Sequence, residues 1–132
     1  MEQHGMPRDG TYRLGQLGPS SGDARPWSVT PEKLAEVVRR VVAVARPLRV
    51  ILFGSAARGE LTSDSDIDLL VVTREEVVSQ VAEAGRIYQA LQGTMVPVDL
   101  LLISDSRLAA MASDPGYLYG QALREGVVVY HA

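Results

Sequence analysis

The chain has 132 residues, with 13 Lys plus Arg against 16 Asp plus Glu, a formal charge of −3 and 46% hydrophobic residues, which suits one globular domain. That balance gives no general case for a nucleic-acid backbone binder, which needs a basic footprint. The lack of Cys excludes a disulfide scaffold and a thiol nucleophile, and two His with no Cys argue against a structural zinc site.

No apolar run approaches membrane-spanning length, and the first residues carry no signal-peptide hydrophobic region. The expectation is a cytoplasmic protein with no membrane partner. Residues 1–28, rich in Gly, Pro, Ser and charge, read as a flexible or loosely packed N-terminal extension, with Tyr12, Leu14, Leu17 and Trp27 available to dock it. Residues 29–132 read as the domain. Thr30 is a good N-cap and Pro31 suits the first helical position, so a helix is expected over 31–45. Its buried stripe is Leu34, Val37, Val38, Val41 and Val42 or Ala45, with Glu32, Lys33, Glu36, Arg39 and Arg40 outward.

Arg49 to Phe53 reads as a strand, Ala56 to Gly59 as a short helical turn, and Glu60 to Ser65 as a polar loop. Asp66 to Val72 is a second strand. Thr73-Arg74-Glu75-Glu76 has the form of a capping box and predicts a helix reaching about Leu91. Met95 to Ile103 is a third strand, in which Pro97 favours an edge, a strand start or a bulge. Ser104 or Asp105 caps a short helix through Met111. Asp114-Pro115-Gly116 opens another, to about Glu125, and Val127 to Tyr130 adds a final strand. The fold class is α/β, a small mixed β-sheet with flanking helices.

Two features carry chemistry. Gly54 permits a sharp turn after the first strand, and Ser55 opens a segment whose backbone N–H groups can hold an anion. No Gly-Lys-Ser/Thr follows, so this is not a P-loop. Asp66 and Asp68 alternate with Ile67, Leu69 and Val71, so the two carboxylates share one strand face. Like charges at that spacing call for a cation between them or a proton on one. Asp99 is a lone charge among Val96, Val98, Leu100, Leu101 and Leu102, and is relieved by exposure, a salt bridge or a cation.

Gly54-Ser55-Ala56-Ala57-Arg58-Gly59 followed by Ser65-Asp66-Ile67-Asp68-Leu69-Leu70-Val71 resembles the signature of the minimal nucleotidyltransferases of the DNA polymerase beta-like superfamily. The resemblance covers roughly Thr30 to Tyr130. It implies that fold, Mg²⁺, ATP as nucleotide donor, and transfer of AMP to a hydroxyl. It makes Gly54 and Ser55 the phosphate-holding pair, Arg58 a basic neighbour, Asp66 and Asp68 two metal-binding carboxylates, and Asp99 the third, a candidate general base. Ala56 stands where the motif often has Arg. The resemblance further implies an antitoxin that adenylylates a tyrosine of a HEPN-type toxin. The alternatives are neutralisation of a partner by occlusion without catalysis, a small-molecule acceptor, and an orphan nucleotide-binding domain.

Overall fold

The computed structural model describes residues 11–12, 30–54, 56–57, 66–74, 78–111 and 124–132. The first helix, α1 (Pro31–Ala45), has the expected bounds. The Thr30 side chain accepts from the Lys33 N–H at 3.1 Å, satisfying one donor that the first turn leaves open. At the other end Arg46 turns into the left-handed region (φ 47°), and its N–H returns to Val42 O at 2.9 Å. Thr30→Ala is expected to cost about 1 kcal/mol in urea unfolding with no change of fold, because it removes one cap and no core volume.

Five strands follow in the order β1 (Thr11–Tyr12), β5 (Val127–His131), β2 (Arg49–Phe53), β3 (Ile67–Thr73) and β4 (Val98–Ser104). All neighbours are antiparallel except β3 and β4, which run parallel. A parallel pair needs a crossover, and α2 (Gln80–Ala90) lies in it. The mixed sheet with flanking helices expected from the sequence is therefore what the chain forms. β1 falls in the stretch read as an extension. It pairs Thr11 with His131 and Tyr12 with Tyr130 at the outer edge of β5.

Strand alternation sorts the core into two layers. Val50, Leu52, Ile67, Leu69 and Val71 pack with the stripe Leu34, Val37, Val38, Val41 and Val42 of α1 and with Ile87 and Leu91 of α2. Ile51, Leu70, Val72 and Ile103 point the other way and meet Leu108 of α3 (Asp105–Met111). The Ser104 hydroxyl accepts from the Arg107 N–H at 3.3 Å and so helps start α3.

Two expectations need correction. Thr73 is not where the helix to about Leu91 starts. It is the last residue of β3, paired with Ser104 in the parallel ladder, and its buried hydroxyl donates to Ile103 O at 3.4 Å. The helix instead begins at Gln80, where Ser79 accepts from the Ala82 N–H at 3.2 Å. Val78 and Val81 stand exposed, while Ile87 is buried. Second, Arg40 does not simply face solvent. It reaches across to α2 and donates to Ala90 O at 3.2 Å and Gln92 O at 2.9 Å, where the helix leaves its last carbonyls open. Glu36 holds Arg40 and Arg39, each at 2.8 Å, and these hydrogen bonds, that of Arg40 first, pull the Glu36 carboxyl below its ordinary range. Among the described residues no helix is long and apolar enough to cross a membrane.

Candidate active site

The chemistry gathers at one end of the sheet, on the face that α3 covers at its other end. Register places Phe53, Asp68 and Asp99 in one row across β2, β3 and β4. Asp66 precedes β3 by one residue and shares the parity of Asp68. Asp66 and Asp99 are exposed, and Asp68 between them is half-buried. Burial raises the Asp68 carboxyl above its ordinary value of 3.8, and the negative charges of Asp99 and then Asp66 push it further the same way. The three carboxylates therefore feel one another.

Gly54 fits beneath this group. It sits at φ +75° directly after β2, and the Ala57 N–H closes a turn onto its carbonyl at 3.2 Å. A methyl group on its Cα would stand 3.3 Å from Cγ of Asp68 and collide with Oδ2. Two independent reasons thus require Gly here: the backbone conformation and the close approach of the carboxylate. Ala56 is buried in the larger core layer at 1% exposure, so the position where the motif often has Arg serves packing in this chain.

Ser55, Arg58, the loop at 60–65, the docking residues Leu14, Leu17 and Trp27, and most of the helix expected over 114–125 lie outside the described residues. Among the described residues, no three acidic, imidazole or thiol side chains close on a common point as a finished cation cage. Asp66, Asp68 and Asp99 share a corner of the sheet without meeting at one point. The donor set is entirely carboxylate oxygen, which suits a hard divalent cation and not a soft one.

Two features at this corner had no separate signal in the sequence. Phe53 flanks Asp68 in the strand row. Tyr88 of α2 meets the edge strand: its hydroxyl accepts from the Leu100 N–H, the residue after Asp99, at 3.0 Å. The Tyr88 ring is exposed, and its hydroxyl makes the contact to β4.

The model of the nucleotidyltransferase domain family matches residues 32–128, an interval that contains every described residue of the acidic corner. Spectinomycin 9-adenylyltransferase from Campylobacter jejuni is 28% identical over 101 residues, covering 66% of this chain and 39% of the relative. The chain thus spans about two fifths of that relative's length. A solved chain from Sulfolobus solfataricus, provisionally assigned as a nucleotidyltransferase, superposes with a TM-score of 0.47 at 20% identity, over 82% of this chain and 89% of the other.

Proposed function

Because the chain belongs to the nucleotidyltransferase domain family, we propose that its acidic corner transfers AMP from ATP to a hydroxyl, with Mg²⁺ held by Asp66, Asp68 and Asp99. The observation that carries this is the register pair Asp68 and Asp99, with Asp66 on the same face and Gly54 clearing the space under Asp68. When bound, the cation supplies positive charge for the triphosphate and the departing pyrophosphate. Asp99, exposed on its edge strand, takes the proton of the acceptor hydroxyl. The acceptor oxygen bonds to the α-phosphorus, the α–β bridging bond breaks, and pyrophosphate leaves with that electron pair. Gly54 and Ser55 hold the terminal phosphates, with Arg58 beside them. No covalent intermediate on the protein is needed.

The acceptor we propose is a tyrosine of a HEPN-type toxin in the cytoplasm, so that the chain acts as an antitoxin. The joint motif at residues 54–59 and 65–71 supports this through its resemblance to the minimal nucleotidyltransferases. A small-molecule acceptor is the second reading, favoured by the likeness to spectinomycin 9-adenylyltransferase. The test is intact-mass analysis of proteins captured by this chain from its native extract, before and after ATP and Mg²⁺, with spectinomycin offered in a parallel reaction. A captured protein that gains AMP supports the protein acceptor. AMP on spectinomycin alone moves the reading to the small molecule, and a tight partner that starts unmodified and keeps its mass supports occlusion.

A further inference from the structure

β4 is the outermost strand of the sheet and carries Asp99, which stands beside Asp68 of β3. Neighbouring strands lie about 4.8 Å apart, so two carboxylates in register on one face push the strands away from each other. β3 cannot yield, being held by β2 on its other side. Among the described residues β4 has no strand beyond it, and its outer N–H and C=O groups need other partners. Two side chains of α2 occupy that outer edge. The Tyr88 hydroxyl accepts from the Leu100 N–H at 3.0 Å, and Gln80 donates through Nε2 to Leu102 O at 3.1 Å. Residues 100 and 102 have the same parity, so both bonds lie along one side of one strand. Leu100 follows Asp99 directly, so the Tyr88 bond fixes the peptide that carries the acid's own carbonyl.

We infer that Tyr88, assisted by Gln80, is a positioning residue: it clamps the outer edge of β4 and thereby keeps Asp99 in register beside Asp68, where the two can share a cation. The inference rests on the proposed metal-assisted transfer. Tyr88 touches neither nucleotide nor acceptor in this role. Its hydroxyl fills a ladder position on that edge, at the residue next to Asp99.

The test compares the full-length chain with Tyr88→Phe, Gln80→Ala and Asp99→Asn. Mn²⁺ binding is followed by water-proton relaxation, amide exchange by residue, and transfer by pyrophosphate release. Tyr88→Phe removes one oxygen from an exposed ring, and the Val71 amide in the interior strand β3 reports that the fold is intact. The expected result is a loss of about tenfold in Leu100 amide protection with Val71 unchanged. Mn²⁺ affinity should weaken roughly tenfold and kcat fall by a similar factor, with KM for ATP nearly constant, as for a supporting group around a metal site. Gln80→Ala should move the same readouts in the same direction, by less. Leu100 protection lost while Mn²⁺ affinity and kcat stay at wild-type values would overturn the clamp, as would an unchanged Leu100 amide. Asp99→Asn separates this failure from that of the underlying site: if it leaves both Mn²⁺ binding and transfer intact, Asp99 is not a ligand, and the site assignment falls together with the clamp.

Discussion

Asp68→Asn is expected to abolish metal-dependent transfer, lowering kcat/KM on the order of a thousandfold or more, while leaving the fold intact. Asp68 is the middle carboxylate of the three, half-buried in β3 between Asp66 and Asp99. On the proposed mechanism its loss removes the charge that both neighbours would share through a cation, and the amide keeps nearly the same volume. Stability should respond in the opposite sense. The folded chain holds a proton on Asp68 to higher pH than the unfolded chain does, because burial and then the charges of Asp99 and Asp66 raise it above 3.8. Across the window from 3.8 up to the raised value the native state binds more protons than the unfolded state, so stability falls as pH rises. Above that window the penalty persists in full. Urea unfolding in a chelator should therefore show Asp68→Asn at least as stable as wild type near neutral pH, with the difference vanishing in acid. Adding Mg²⁺ should stabilise wild type and not the variant, because a ligand that binds only the native state shifts unfolding by mass action. A variant less stable than wild type in chelator would show that Asp68 is held by an attractive partner rather than strained by like charge.

The elements that could be read locally were α1 and the strands. Thr30 and Pro31 mark the helix start chemically, and the apolar spacing from Leu34 to Val42 admits only one buried face. The parity of Asp66 and Asp68 is likewise a local property of a strand. The partnership of Asp68 with Asp99 is not, since it depends on the parallel register of two strands separated by a crossover. Residue chemistry alone left Asp99 open between an edge charge and a ligand, and the structure makes it an edge residue beside Asp68. Thr73 shows the converse. Its capping pattern is locally sound, yet Thr73 closes β3 as a buried ladder residue paired with Ser104, and the helix starts only at Gln80. The same nonlocality hides Arg40, whose carbonyl partners lie on another helix, and Tyr88, whose partner is a backbone N–H on the sheet edge. None of these pairings leaves a periodic trace.

Gly54→Ala is expected to be the most damaging single-methyl change near the site, with transfer reduced about a hundredfold or more and stability lowered by roughly 1–3 kcal/mol. Part of the cost is conformational, since φ +75° lies where an L side chain is strained. The larger functional part is steric. The new methyl would collide with Asp68 Oδ2 and crowd Cγ at 3.3 Å, in a rigid β2–β3 pair where Phe53 sits directly opposite Asp68. The carboxylate must rotate away, and a displacement of about 1 Å is enough to cost a hundredfold in a site built on positioning. Gly93 supplies the control. It also has positive φ, at +91°, but a methyl there would meet nothing within 4 Å. Gly93→Ala should therefore carry the backbone cost alone, about 1 kcal/mol, with transfer and Mg²⁺-induced stabilisation unchanged. Measured side by side in urea with and without Mg²⁺, the two variants separate backbone strain from loss of the site. If Gly54→Ala kept wild-type transfer, Asp68 would have to work from a different rotamer than the one that overhangs Gly54, and the cation would sit farther from the turn after β2.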